Sequence, residues 1–365
     1  MNVLWLTGRS FADLCSTTQI ELAKGLCEKD HSITIVNGDS KPVDDVLWEH
    51  VPLDINARKG TKTRRLGAAC AQYIQTATSG AIDVVIVEWR LLPYVVKELK
   101  KKKLPWALMD RSPPAYRGVL ARLQWYGWKK AWRFAKKHRA PGFVVSPAHA
   151  KFVIQKIGNT SSVVIPAGVN LERFQPGVRR TTLTMVYHGR LDQNRGVLAL
   201  PMLAQKARSE GINVDLIMIG KGDAWGALKM IAENYTFIEV RESVSNSKLA
   251  KVLSGCHLGL LPMPDQSIWR LASPLKRSEY LASGLVVFGI NHSGHRIEQI
   301  EAPFIQLCTQ RDFHAQGCLL LRNLTIEAES LSLQARSYAE ENLGWEKSVE
   351  TIEETLTKLT ENYEL

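Results

Sequence analysis

Short apolar runs recur along this chain, each followed by a polar turn and then by a stretch with helical spacing. VLWL (3–6), SITIVN (32–37), DVVIVEW (83–89), PWALMD (105–110) and GFVVS (142–146) predict strands, with a helix around Thr18–Lys29 after the first. A second cycle opens at Leu183: LTMVYHG, a helix over Leu198–Glu210, VDLIMIG, a helix over Trp225–Asn234, then FIEV. A helix over Lys248–Ser254 leads to LGLLPM (258–263), and LVVFGI and FIQLC (304–308) close the series. Alternation of strand and helix implies a parallel sheet with crossover helices. The expected class is α/β: two Rossmann-like domains joined near Gly177–Thr182, one over 1–178 and one over 179–345. Leu343–Leu365 is amphipathic, and its residues 346–365 are expected to pack back towards the first domain.

At 365 residues the chain is long enough for two such cores. No apolar run approaches the roughly 18–20 residues of a membrane span. MNVLWLTGRSF lacks a charged leader before a long apolar core, so no signal peptide is expected. The six cysteines show no paired spacing, which favours reduced thiols in a cytoplasmic protein over disulfides or zinc. Neither HExxH nor Asp-x-Asp occurs, so no metal is expected. The net charge of +11 is uneven: residues 1–180 hold 29 Lys and Arg against 14 Asp and Glu, and residues 181–365 hold 18 against 22. A basic half of this kind meets an anionic partner, either nucleic acid or an acidic membrane surface.

Candidate chemistry concentrates in the second half. In SPLKRSEYLASGLVVFG (273–289), Ser273 is placed to cap a helix with its hydroxyl, and Pro274 suits the first helical position. The amides of Leu275 and Lys276 then point out of the positive helix end, where an anion is favoured. Glu279 lies about one and a half turns in, within reach of ribose hydroxyls if a nucleotide diphosphate sits there. In GRLDQNRG (189–196), Arg190 follows a strand end and Arg195 comes five residues later. Ligands of open α/β sheets bind beyond the carboxyl ends of the strands, where paired arginines suit a diphosphate. Solvated surface arginines are the plainer account of the same two residues. IGKGDAWG (219–226) is a glycine-rich turn without strict GxGxxG spacing, and Gly220 and Gly222 fit a turn beside a nucleotide better than a dinucleotide fingerprint.

These segments resemble glycosyltransferase family 4. VVIPAGVNLERFQP (163–176) is similar to the segment that closes the first domain in that family, GRLDQNRG to its diphosphate clamp and IGKGD to its glycine turn. SPLKRSEYLASGLVVFG is similar to its donor-site helix, and GWEKSVETIEETLTKL (344–359) to its closing helix. The five matches fall in the family's order over roughly the C-terminal 200 residues.

The resemblance implies a GT-B fold, with two Rossmann-like domains facing each other across a cleft. It implies a retaining transferase, a hexosyltransferase, that moves a sugar from a UDP- or GDP-sugar donor and needs no further cofactor. Arg190 and Arg195 would hold the diphosphate, Arg195 standing where lysine is usual, and Glu279 the ribose. The Leu275 and Lys276 amides would meet the distal phosphate, and Gly220 and Gly222 would line the nucleotide site. The family's usual glutamate eight residues before Glu279 is Leu271 here, which leaves donor-sugar identity open. TGRSFADLCSTTQ (7–19) replaces the family's glycine-rich loop. Its Ser16, Thr17, Thr18 and Gln19 contact acceptor or donor sugar, or else form the start of the first helix. Asp110 is the candidate for orienting the acceptor hydroxyl, against the alternative of a turn-capping Asp, and Glu88 is the reserve.

Residues 119–139 place Trp125, Trp128 and Trp132 on one helical stripe, with Arg122, Lys129, Arg133 and Lys136 on an adjacent one. This is the pattern of an interfacial helix on an anionic membrane, or of tryptophans packed on the sheet beneath solvated lysines. The expectation drawn is a peripheral enzyme at the cytoplasmic membrane face, acting on a lipid-linked or growing glycan acceptor, with no nucleic-acid partner. The alternatives are another GT-B sugar-nucleotide activity, such as an epimerase, and a basic nucleic-acid-binding protein.

Overall fold

The computed structural model describes residues 1–12, 16–58, 60–114, 118–297 and 302–361. Cys15, within the 7–19 segment, and the last four residues of the expected closing helix lie outside the described residues. The chain divides into one unit of Met1–Pro166 with Trp345–Leu365 and a second of Ala167–Gly344.

The first unit is built on seven parallel strands: β1 (Asn2–Leu6), β2 (Ser32–Asn37), β3 (Glu49–Pro52), β4 (Val84–Glu88), β5 (Trp106–Asp110), β6 (Gly142–Val144) and β7 (Ser162–Val164). Their spatial order is β3-β2-β1-β4-β5-β6-β7, so the connections run outward in both directions from the β1–β4 neighbours. Every residue of β4 and β5 is buried, because helices cover both faces of a parallel sheet. The helix Glu346–Glu361 belongs to this unit. It lies against the helix Thr17–Cys27, where a Cβ on Gly25 would come within 2.5 Å of Val349, and Glu353 bonds Lys29 at 2.6 Å.

The second unit repeats the plan with β8 (Leu183–Arg190), β9 (Val214–Lys221), β10 (Ile238–Arg241), β11 (Leu258–Leu261), β12 (Val286–Ile290) and β13 (Ile305–Cys308). The order β10-β9-β8-β11-β12-β13 makes β8 and β11 the neighbours at which strand order reverses. In such sheets that reversal opens a crevice at the carboxyl ends of the two strands.

The helix predicted over 119–139 forms as Val119–Lys137, but its tryptophans correct the membrane expectation. Trp128 and Trp132 are fully buried and Trp125 is half-buried, while Arg133 is exposed and Lys129 half-buried. The cause lies in the indole N–H groups, which need acceptors once buried. Both donate to Oδ2 of Asp110, Trp128 at 2.6 Å and Trp132 at 2.8 Å. Five cysteines, Cys27, Cys70, Cys256, Cys308 and Cys318, carry free thiols. No helix among the described residues is long and apolar enough to cross a membrane.

Candidate functional site

At the carboxyl ends of β8 and β9 the two strands close on each other through paired glycines. Gly189 is in register with Gly220, and both have positive φ, +111° and +156°. A Cβ on Gly220 would stand 1.7 Å from the Gly189 carbonyl oxygen, and one on Gly222 2.2 Å from that of Leu191. Only glycine permits this approach, so the IGKGD turn packs directly onto the GRLD turn.

That packing sets the charged groups. Arg190 leaves the end of β8 half-exposed, and Arg195 closes the short 3-10 turn Gln193–Arg195. Both turn to Asp192: Arg190 by two hydrogen bonds of 3.1 Å, Arg195 with its Nε 3.7 Å from Oδ2. Burial pushes the Asp192 carboxyl up, but the bonds and charge of Arg190, the Asp223 amide and Arg195 outweigh it, and the group sits below its usual value. The Arg195 guanidinium lies over the Trp269 ring, 4.7 Å from its centre, which fixes its plane.

The helix that leads into β12 runs Leu275–Ala282. Its start differs from expectation. Pro274 is the capping residue, with extended φ and ψ, and Ser273 makes no cap. Ser273 Oγ accepts instead from the Ala167 amide at 3.0 Å, and Ser278 Oγ donates to the Ala167 carbonyl at 3.1 Å. Both polar groups of a non-helical residue are thereby satisfied, which outweighs one cap. The Leu275 and Lys276 amides still lie in the first turn, ahead of the helical hydrogen-bond ladder. The Lys276 side chain is buried, with Nζ 5.2 Å from the Tyr187 ring centre and 3.5 Å from where a Gly189 Cβ would lie. Tyr187 donates to the Arg190 carbonyl at 2.9 Å, and burial pushes its hydroxyl up to about 12.

Glu279, one turn on, is buried and reaches His188 on β8, Oε2 to Nε2 3.1 Å. The His188 ring meets Tyr280 edge-on, their centres 5.2 Å apart. The second unit thus brings Arg190, Arg195, Lys276 and Glu279 to the side of the sheet where β8 ends. His188 and Asp192 were not singled out from the sequence; each is two residues from Arg190, and His188 gains its partner Glu279 only through the strand-to-helix packing. Leu271 ends the short helix Ser267–Arg270 and offers no carboxylate.

In the first unit the structure corrects the role expected of Asp110. Its side chain is fully buried and is taken up by Trp128, Trp132 and His149, whose Nε2 lies 3.3 Å away. A carboxylate at the end of an interior strand must find donors, and the two indoles supply them to Oδ2, while Oδ1 has no hydrogen-bond partner among the described residues. It is not presented to an acceptor. Ser16 stands at the start of the Thr17–Cys27 helix without a side-chain cap, its hydroxyl donating to the Phe11 carbonyl at 3.1 Å, and Thr17 is half-buried. Glu88, at the end of β4, lines a pocket with Thr7, Gln19 and Met109. Its Oε2 accepts from the Gly8 amide at 2.7 Å and the Thr7 hydroxyl at 3.2 Å.

No family model matches the chain, and no curated protein matches it. Solved structures do. A sucrose-phosphate synthase from Thermosynechococcus elongatus superposes with a TM-score of 0.79 at 14% identity, over 99% of this chain and 100% of that one. A glycosyltransferase from Rickettsia africae gives 0.75 at 15%, over 99% of each chain. Anabaena HepE in complex with UDP gives 0.74 at 12%, over 98% of this chain and 100% of that one. The fold shared with these proteins, two parallel Rossmann-like sheets of GT-B type, is the fold of this chain.

Proposed function

We propose that this chain is a glycosyltransferase, of the family 4 kind its motifs resemble, that moves a hexosyl group from a UDP- or GDP-sugar to an acceptor with retention. The observation that carries the reading is the gathering of Arg190, Arg195, the Lys276 helix start and Glu279 at the reversal of strand order in the second unit. The fold neighbour HepE was solved with UDP, which supports a nucleotide donor. In the transfer, the anomeric carbon leaves the diphosphate oxygen for an acceptor oxygen, the diphosphate keeps the bonding electrons, and the acceptor proton is released. Charge develops on the leaving diphosphate, and arginines and amides already in place stabilise it. Glu279 would hold the ribose through its hydroxyls, and Gly220 and Gly222 keep the turn beside it low. Glu88 takes over the acceptor-orienting role once assigned to Asp110.

For the acceptor we keep a lipid-linked or growing glycan, reached from the cytoplasmic face of a membrane. The surface that supports this is no longer the tryptophan stripe. Leu123 and Tyr126, each 64% exposed, share a face of the Val119–Lys137 helix with Arg133 and Lys137. An exposed apolar pair beside cations suits an anionic interface.

The test is a thermal-shift and calorimetric series with UDP-, GDP- and ADP-sugars, followed by product analysis with the sugar that binds. Stabilisation by none of them removes the donor-site argument. Co-sedimentation with anionic and neutral liposomes checks the membrane part; equal binding to both would overturn it.

A further inference from the structure

The first unit carries a pocket of its own at the point where its strand order reverses. Its lining comes from the residues just past β1, β4 and β5, the place where ligands bind in open parallel sheets. Three of the residues that line it are cationic. Arg9 follows β1, Arg90 follows β4 and Arg111 follows β5, so guanidinium groups from three separate turns share one hollow. Arg111 is anchored by a hydrogen bond from Nη2 to the Thr18 hydroxyl. Arg90 lies over the neighbouring Trp89 ring, 5.2 Å from its centre.

Two details show that the pocket is built to receive something. Gln19, itself only 3% exposed, lines it, and its amide nitrogen has no hydrogen-bond partner among the described residues. A buried donor without an acceptor is costly unless a bound group supplies one. The charges also fail to cancel. Glu88 is the pocket's one lining carboxylate among the described residues, its Oε1 3.7 Å from Arg90 Nε. Its other oxygen is already committed to Gly8 and Thr7. Three guanidinium groups against one carboxylate leave an excess of two positive charges, which matches a doubly ionised phosphate monoester. Arginine offers the forked donors that phosphate oxygens accept in pairs.

We infer that this pocket binds a phosphate monoester carried by the acceptor, held by Arg9, Arg90 and Arg111 with the Gln19 amide as a further donor. This rests on the glycosyltransferase reading for the word acceptor, but the anion site stands on the first unit alone. It gives Glu88 a specific place: a carboxylate at the edge of the phosphate site, where a hydroxyl of the same acceptor can reach it. Nothing of this kind was visible in the sequence, where the three arginines lie in three unrelated segments.

Calorimetry on the full chain tests it. An Arg190→Ala background weakens the diphosphate site of the second unit, so that phosphate reports mainly on the first. Glycerol 3-phosphate and inorganic phosphate are expected to bind and glycerol not to. Arg90→Ala should weaken the ester about tenfold or more, since a charged hydrogen bond of this kind is worth roughly 1.5–3 kcal/mol. Arg111→Lys keeps the charge but loses the fork and is expected to weaken it less. Glu88→Gln should tighten binding, because a repelling charge is removed. Equal affinity for glycerol and its phosphate, or an Arg90→Ala variant that binds as the parent does, would overturn the site. Vesicles with and without phosphatidic acid identify the source: binding lost in Arg90→Ala assigns the phosphate to a lipid, whereas ester binding lost with no vesicle response assigns it to a soluble acceptor. A parallel titration of the unmodified chain with UDP separates the two proposals. Phosphate bound without any UDP binding sinks the nucleotide-sugar reading and leaves this site; UDP bound without phosphate does the reverse.

Discussion

Arg190 holds Asp192 through two parallel hydrogen bonds, Nε to Oδ2 and Nη2 to Oδ1, each 3.1 Å long. The guanidinium expected to grip a diphosphate is therefore already engaged by a carboxylate of its own turn. A half-exposed pair of this kind contributes at most about 1 kcal/mol, so a diphosphate that also meets Arg195 and the helix amides can displace it.

Arg190→Ala is expected to weaken UDP binding about tenfold to a hundredfold, the loss of one forked charged contact. Asp192→Asn keeps the shape but removes the competing charge, and should tighten binding a few-fold at low salt, less so as salt rises. Isothermal titration at two ionic strengths measures both. Weaker binding in Asp192→Asn would show that the carboxylate serves the turn, where its Oδ1 also accepts from the Asp223 amide at 3.4 Å, more than it competes for Arg190.

Glu279 and His188 make a prediction about the ribose. If the Glu279 carboxylate holds the sugar hydroxyls, the parent chain should prefer UDP to 2′,3′-dideoxy-UDP by roughly tenfold, and Glu279→Ala should bind the two alike. His188→Ala leaves Glu279 buried without its partner and is expected to lower UDP affinity as well. A Glu279→Ala variant that still discriminates would place the ribose elsewhere.

The buried carboxylate of Asp110 predicts a stability effect rather than a catalytic one. Asp110→Ala strands two indole N–H groups and His149 in the core, and such a loss costs about 3–5 kcal/mol. Trp132→Phe removes one donor and should cost about 1–2 kcal/mol. Urea unfolding gives both numbers. Full stability in Asp110→Asn together with lost turnover would return Asp110 to the chemistry.

What could be read beforehand follows from how each feature is encoded. Strands such as DVVIVEW and VDLIMIG are buried on both faces, so their apolar runs announce them. EHVP at Glu49–Pro52 and SVV at Ser162–Val164 are short and lie at sheet edges, half-buried, and give no comparable run. Arg190, Arg195 and Glu279 could be singled out as candidates because each sits at a fixed offset from a strand end or a helix start. Asp110 failed because strand position says where a side chain begins, not which donors will reach it; the Trp128 and Trp132 spacing fits a membrane face and a core face equally. Ser273 failed for a related reason. Its hydroxyl had two customers, the helix start and Ala167, and Ala167 is 106 residues away. The Arg9, Arg90 and Arg111 pocket depends on strand order alone, which no local pattern records.

His257, just before β11, joins that strand to β8 by receiving the Thr184 amide on Nδ1 at 3.1 Å, while its own amide donates to the Thr184 carbonyl at 2.9 Å. Burial first, and the charge of Arg179 second, lower its pKa from 6.5 to about 4. In the unfolded chain the imidazole takes its proton near pH 6.5, so between there and pH 4 the unfolded state binds more protons than the folded one. The stability His257 contributes is fully present above pH 6.5 and declines as pH falls through that window. Protonation would also set an N–H against the Thr184 N–H. His257→Asn, which keeps an acceptor but cannot titrate here, is expected to flatten the fall in melting temperature between pH 6.5 and 4 relative to the parent. Parallel curves for the two proteins would show that other groups carry the acid sensitivity.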